Sequence, residues 1–270
     1  MNYMEAVVMG VLQGITEWLP ISSSGQTMLA LMNFFGVPPE QAYSYALMLH
    51  LGTLMALAYK FRYDLGKILL KFIAFKWGEE EKFLFYSTLF TGLIGYPLYK
   101  TFSERVAGLN IEVVNGLIGV ALIVTGLVLY KTQENPIKRA EKEKGLKSDD
   151  EVSIVESITA GIAQGIAVLP GISRSGMTIG ALLLFGVKQE KAVRLSFLMA
   201  IPAIFGALFL EAPKNPMPIN VAVVAVLSSF TVSLVMLEVM LKAAKRLNFS
   251  KFCILFGSIA LIVSLLGVLL

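Results

Sequence analysis

The chain has 270 residues, 56% of them hydrophobic and only 16% charged. With a mean hydropathy of +0.72 and a charged share well below the roughly 25% of soluble domains, it is no ordinary soluble domain and reads as an integral membrane protein. The net charge of +4 falls in short loops between apolar runs, which argues against a nucleic-acid partner, and the single Cys253 excludes an intramolecular disulfide.

In chain order, two short apolar pieces come first, Met4–Trp18 and Ser24–Phe35, split by Pro20 and a Ser/Gly cluster. No basic region precedes them, so a cleavable signal is not expected. Three longer runs follow: Ala42–Tyr59, Phe83–Tyr99 and Val113–Tyr130. At about 1.5 Å of rise per residue, each is close to a bilayer core in length. A stretch rich in Lys and Glu, 131–157, reads as a solvated linker. Two more short pieces, Val155–Leu169 and Ser175–Phe185, are split by Pro170, Gly171 and Ser173. Ala192–Leu210, Ile219–Leu241 and Phe252–Leu270 complete six predicted spans.

The short pieces belong to an internal repeat. Residues 5–34 align on 156–185 without a gap, with 13 of 30 positions identical. Repeats set architecture. The pattern predicts two halves, 1–130 and 155–270, joined by a charged linker over 131–154. Broken helices at membrane depth are tolerated only where they line protein or water, so each short pair is expected to be a re-entrant hairpin. Three spans per half make the second half insert upside down. The predicted fold is therefore an all-α polytopic membrane protein: an inverted-topology repeat of six transmembrane helices plus two re-entrant helical hairpins. Such repeats place their binding sites near the midplane. Of the 23 Lys and Arg, all but Lys100, Arg105, Lys214 and Arg174 fall in 60–82, 131–157, 186–194 and 242–251. That bias puts these four loops inside and both termini outside the cell membrane. Tyr59, Phe61, Tyr63, Tyr99 and Tyr130 fall at span ends, as an interfacial belt would. Gly10-x-x-x-Gly14 and Gly161-x-x-x-Gly165 occupy matching positions and predict close helix contacts.

The two copies differ where chemistry would sit. Glu17 faces Val168, and Ser23 faces Arg174. Intramembrane ionisable residues are costly and point to function. Arg174 lies in the turn Ser173-Arg174-Ser175-Gly176, and Ser22-Ser23-Ser24-Gly25 forms the matching turn. Helix N-termini and a guanidinium both favour a phosphate-type anion. The plainer alternative is that Arg174 only pairs with Glu17 and locks the hairpins. Glu17, one turn after Gln13 on the same helix face, is a candidate base toward a serine or a ligand for a divalent cation, with phosphate oxygens supplying the other ligands. His50, the only histidine, is a candidate site residue; its alternative is a packed polar side chain.

Gln13-x-x-x-Glu17, Leu19-Pro20-Ile21-Ser22-Ser23-Ser24-Gly25 and Pro170-Gly171-Ile172-Ser173-Arg174-Ser175-Gly176 resemble the signature regions of the undecaprenyl-diphosphatase family, also called the bacitracin-resistance (BacA/UppP) family. The likeness covers the chain in length and order. It implies hydrolysis of a polyprenyl diphosphate carrier lipid to the monophosphate with the help of Mg²⁺ or Ca²⁺, at a site opening to the outer face. Carried over by position, Ser23 is the implied nucleophile, Arg174 the phosphate clamp, Glu17 the second acid of the first motif and Gln13 its first position in amide form. Ser22, Ser24, Gly25, Gln26, Ser173, Ser175, Gly176 and His50 are the expected substrate contacts. Many members have a histidine where this chain has Gln26, so His50 or Glu17 would have to move the proton. That departure leaves a non-hydrolytic polyprenyl-phosphate flippase as the rival reading. The expected partners are the lipid, the membrane and, for oligomeric state, a homodimer.

Overall fold

The computed structural model describes residues 1–19, 21–106, 109–133, 152–210 and 217–243, with short pieces between 254 and 265. Every regular element among them is an α-helix, as the sequence predicts: α1 Tyr3–Thr16, α2 Ser23–Phe35, α3 Pro39–Lys60, α4 Arg62–Ile73, α5 Glu79–Val106, α6 Ile111–Gln133, α7 Ile154–Ile166, α8 Arg174–Leu184, α9 Gln189–Leu210 and α10 Ile219–Ala243. Pro20, Lys214, Cys253, most of the 131–154 linker and most of the Phe252–Leu270 span lie outside the described residues.

The repeat begins each half in the same way. In α1 the Asn2 side chain accepts from the Glu5 N–H at 2.9 Å, and the Glu5 carboxylate accepts from the Asn2 N–H at 2.8 Å. In α7 the Glu156 carboxylate accepts from the Ser153 N–H at 2.7 Å. The glutamate shared by the two copies is thus a helix-capping residue. Each first helix is short, 14 residues in α1 and 13 in α7, and each is followed by a second short helix that doubles back.

The glycine pairs fix how the halves meet, and they meet crosswise. A Cβ built on Gly161 would lie 2.9 Å from Ser87 Cα and 3.0 Å from Phe90 Cβ, and one on Gly165 would lie 2.8 Å from Ile94 Cβ. Those partners are on α5, in the other half. A Cβ on Gly10 would lie 2.6 Å from Ser228 Cβ, and one on Gly14 would lie 2.8 Å from Val232 Cβ, both on α10. So α7 lies on α5 and α1 lies on α10, backbone against backbone, as small residues four apart allow. The halves are interlocked rather than side by side.

Charged groups gather at one end. Lys60 pairs with Glu238, Lys71 with Glu81 at 3.3 Å, and Arg194 with Glu80 and with Asp64 at 3.5 Å. The Val152 N–H reaches Glu79 at 3.4 Å. These contacts join the end of α3, both ends of α4, the start of α5, the approach to α7, the start of α9 and the end of α10. At the other end, Tyr3 bonds Asn220 at 2.5 Å, Asn33 bonds Asn115 at 3.0 Å, and Tyr43 stacks with Phe102.

Between the two ends, large apolar side chains face outward. Phe205 is 63% exposed and Phe209 83%; surface of this kind is stable against lipid rather than water. Among the described residues, two helices are long and apolar enough to cross a membrane by length and composition, Gln189–Leu210 and Ile219–Lys242. Ala42–Tyr59, Phe83–Tyr99 and Val113–Tyr130 lie within α3, α5 and α6.

Two expectations need correction. The 60–82 stretch is not a bare loop: α4 exposes Leu69, Leu70 and Ile73 and buries Ile68, the pattern of a helix lying along an interface. In the expected aromatic belt, Tyr59, Tyr63 and Tyr130 are exposed, but Phe61 is buried in the core and Tyr99 turns inward against Tyr43. Aromatic residues at span ends serve either lipid or packing, and composition does not separate the two.

Overpacking a tight contact costs roughly 1–3 kcal/mol. Gly161→Leu should therefore lower the melting temperature in detergent, while Gly66→Ala, whose added Cβ meets nothing within 4 Å, should not. A Gly161→Leu protein that melts like the parent would contradict the close approach of α7 to α5.

Candidate active site

The hairpin tips meet in the interior. The turn before α2 holds Ser22 at φ 57, the left-handed region, and the turn before α8 holds Gly171 at φ +94. The Ser22 hydroxyl oxygen accepts from the Gly171 N–H at 3.0 Å, across the two copies, and from the Gly25 N–H at 3.3 Å in its own helix. Backbone strain at a non-glycine residue persists where neighbours hold it in place. In the second tip, Ser173 Oγ accepts from the Gly176 N–H at 3.2 Å, and Ser175 Oγ donates to the Leu19 carbonyl of the first tip at 3.3 Å. Both serine clusters are thus spent partly on capping and partly on tying one tip to the other, and both leave helix N-termini directed at the junction.

Glu17 is the centre of the junction. It caps the C-terminal end of α1, and it is 4% exposed. The Gln13 amide donates to Glu17 Oε2 at 2.9 Å, and Thr27 in turn donates to the other end of the Gln13 amide at 3.1 Å. Ser23 Oγ donates to the same Oε2 at 2.5 Å. His50 Nε2 lies 3.1 Å from Oε2 and 3.4 Å from Ser23 Oγ. Arg174 Nη2 pairs with Oε1. The ion pair that the plainer reading of Arg174 requires is present. It does not use up the guanidinium: Arg174 Nη1 is buried with no partner among the described residues.

His50 comes from the middle of α3. Its Nδ1 lies 2.7 Å from the Ala46 carbonyl. A carbonyl can only accept, so Nδ1 carries a hydrogen, and Nε2 is the atom able to gain or lose one.

These groups open on one cavity of about 290 Å³. Glu17, Ser22, Ser23, Ser24, His50, Ser173, Arg174 and Ser175 all line it. Gln13, Gly25, Gln26 and Gly176 do not. Gln13 acts behind Glu17. Gln26, where the resemblance leads one to expect a histidine, turns away and donates to the Ile21 carbonyl at 3.2 Å. His50 stands beside Ser23 and Glu17 instead.

Sequence reasoning misses several lining residues, Gln164 and Thr91 among them. Gln164 is the repeat partner of Gln13, a signal that the repeat does carry. Its Nε2 donates to Thr91 Oγ1 at 3.0 Å and to the Met199 carbonyl at 3.2 Å, and its Oε1 is buried with no partner among the described residues. Thr91 and the rest of the α5 wall have no signal in the repeat.

A divalent cation fits Glu17 poorly. Contacts from Gln13, Ser23 and His50 crowd Oε2, and Oε1 already pairs with the Arg174 guanidinium, which repels a second cation. Among the described residues, no group of three His, Cys, Asp or Glu could hold a metal.

Residues 6–262 match the family model of the bacitracin resistance protein BacA. The chain belongs to this family. Similar proteins include the "Undecaprenyl-diphosphatase" of Methanothrix thermoacetophila, 39% identical over 97% of this chain and 96% of that one. The "Undecaprenyl-diphosphatase" of Methanopyrus kandleri is 40% identical over 96% and 95%. That of Carboxydothermus hydrogenoformans is 38% identical over 78% and 74%. The chain is thus a membrane protein of the BacA family, and every regular element among its described residues is a helix.

Removing one partner of a buried ion pair leaves an uncompensated charge and costs roughly 3–5 kcal/mol. Arg174→Ala should lower the melting temperature strongly, and adding Glu17→Gln should recover part of that loss. Additive losses in the double variant would show that the two side chains do not pair.

Proposed function

We propose that this protein is an undecaprenyl-diphosphatase, removing the terminal phosphate of an undecaprenyl-type diphosphate and returning the carrier lipid as its monophosphate. The observation that carries the reading is a serine hydroxyl bonded to a buried carboxylate in a cavity lined by Arg174, whose second guanidinium nitrogen is buried without a partner among the described residues. The names of the similar proteins support it.

The chemistry follows from the contacts. Ser23 gives its proton to Glu17 Oε2 as Oγ bonds to the terminal phosphorus. The bridging P–O bond breaks, and the oxygen leaves with the lipid monophosphate. Water then cleaves the serine–phosphate bond. His50 Nε2, within reach of both Ser23 Oγ and Glu17 Oε2, passes the proton between water, serine and leaving group. Arg174 Nη1 and the N-termini of α2 and α8 hold the charge on the phosphoryl oxygens, where positioning and electrostatics supply most of the rate. Gln13 positions Glu17. No step runs through a metal. The apolar remainder of the cavity wall suits the start of an isoprenoid tail.

The same proposal includes the inverted topology. Tyr3, Asn33, Tyr43, Phe102 and Asn220 share one end, and Lys60, Lys71, Glu79, Val152, Arg194 and Glu238 share the other. That arrangement supports a first hairpin dipping in from one face and a second from the opposite face. The lysine and arginine bias makes the first face external. The halves 1–130 and 155–270 are then the two inverted repeats.

The flippase reading rests on Gln26. With His50 beside Ser23, that substitution does not argue against hydrolysis. Purified protein should release inorganic phosphate from undecaprenyl diphosphate in detergent, and Ser23→Ala and Arg174→Ala should each lower release at least tenfold. His50→Ala should lower it comparably, while Gln26→Ala should stay within about threefold of the parent. Full activity in Ser23→Ala would remove the nucleophile from the scheme. Lipid binding without any release would return the reading to transport.

A further inference from the structure

The charged end carries a helix whose outer face packs on nothing inside the protein. Three contacts fix how α4 is turned. Ile68 is buried, Lys71 pairs with Glu81 on α5 at 3.3 Å, and Asp64 pairs with Arg194 on α9 at 3.5 Å. The opposite face therefore points outward. At spacings of three, four and seven residues it collects Tyr63, Leu69, Leu70 and Ile73, all of them exposed.

The turn that ends α4 adds an independent observation. The Lys76 N–H donates to the Lys71 carbonyl at 3.0 Å and the Phe75 N–H to the Phe72 carbonyl at 3.2 Å, the pattern that closes a helix through a left-handed residue. Glycine is the usual residue there. Here it is Phe75, at φ 53 and 86% exposed. A bulky side chain makes the left-handed turn costly, and a ring in water adds to that cost. An acyl-chain environment removes the second cost and sets the burial of the ring against the first. Trp77, next to it, packs on Phe72 and Phe85 with ring centres 5.0 and 5.1 Å apart, and its ring N–H donates to the Phe72 carbonyl at 3.3 Å.

The charges around this face are uneven. Every carboxylate of the 60–82 stretch is engaged: Asp64 and Glu80 with Arg194, Glu81 with Lys71, and Glu79 with the Val152 N–H. Arg62, Lys67, Lys76 and Lys82 are exposed and have no carboxylate partner among the described residues. Lys67 lies one turn from both Tyr63 and Leu70, and Lys76 follows Phe75, so cations border the apolar face. Such a face fits a bilayer surface rich in anionic headgroups. A zwitterionic headgroup brings its own cation and leaves the excess charge unmatched. We propose that α4 and the turn after it dock on anionic lipid, with Leu69, Leu70, Ile73 and Phe75 among the acyl chains and Lys67 and Lys76 at the headgroup phosphates. The inference stands apart from the phosphatase reading and does not depend on it.

The test follows tryptophan fluorescence of the full chain in phosphatidylcholine nanodiscs that contain a fixed share of one lipid brominated in its acyl chains. Trp18 is buried in the core, so Trp77 reports on the lipid beside α4, and Trp77→Phe supplies the blank. Brominated phosphatidylglycerol should quench Trp77 about threefold more than brominated phosphatidylcholine at the same share. Lys67→Glu combined with Lys76→Glu should bring the two lipids to parity. Quenching by brominated phosphatidylcholine should stay as in the parent, which shows that the variant is inserted. If the double variant does not fold, salt decides on the parent: the preference should fall as added salt screens exposed charge. Equal quenching by both lipids in the parent overturns the inference, and so does a preference that survives in the double variant or in high salt. A Trp77 that neither lipid quenches also overturns it, and would mean that a second copy of the chain or a soluble protein covers this face.

Discussion

A carboxylate and a guanidinium buried inside the protein are each unstable alone, and the rest of the structure depends on their meeting. Glu17 comes from one repeat and Arg174 from the other. Neither hairpin can leave the junction without stranding a charge in a medium that does not solvate it. The Ser22–Gly171 and Ser175–Leu19 bonds hold the same junction with neutral groups. The glycine contacts of α1 on α10 and α7 on α5 then fix the approach of each hairpin to the opposite half. The ion pair sets where the tips must be, and the small residues make that position sterically possible.

Duplication followed by divergence explains why such a junction does chemistry. The two copies keep the same capping glutamate, a serine cap on the second helix and the same paired glycines, although Ser22 is left-handed and its repeat partner Ser173 is extended. The charges diverge further. Glu17 answers Val168, and Arg174 answers Ser23. One tip therefore supplies a base and a nucleophile, and the other supplies a clamp for the phosphoryl group. A serine next to a carboxylate has somewhere to send its proton, and a guanidinium with one nitrogen unspent has something to offer an anion.

Much of this is legible in the sequence because it is local or repeated. The gap-free repeat, the short paired helices, the capping turns and the arginine at the second tip all follow from spacing and residue type. What is not legible depends on contacts between distant segments. His50 lies 27 residues from Ser23, and no periodicity says that α3 turns it toward the first tip. The crosswise packing is invisible because a Gly-x-x-x-Gly pair announces a close neighbour without naming it. Glu17 reads as a cation ligand in sequence because a carboxylate usually has lone pairs to spare. Only the three-dimensional arrangement reveals that Gln13, Ser23, His50 and Arg174 converge on it. Gln164 escapes notice although its repeat partner Gln13 does not, since an amide looks the same in sequence whether its oxygen is satisfied or not.

The most direct test of the composite site is a single-turnover reaction with undecaprenyl diphosphate labelled in its terminal phosphate, quenched in acid within the first turnover. The account predicts transient label on a peptide containing Ser23, rising before inorganic phosphate and absent when Glu17 is replaced by Gln. Labelled phosphate appearing from the first time point with no adduct at Ser23 would mean that water attacks directly, and would contradict a mechanism in which the serine is the nucleophile and Glu17 its base.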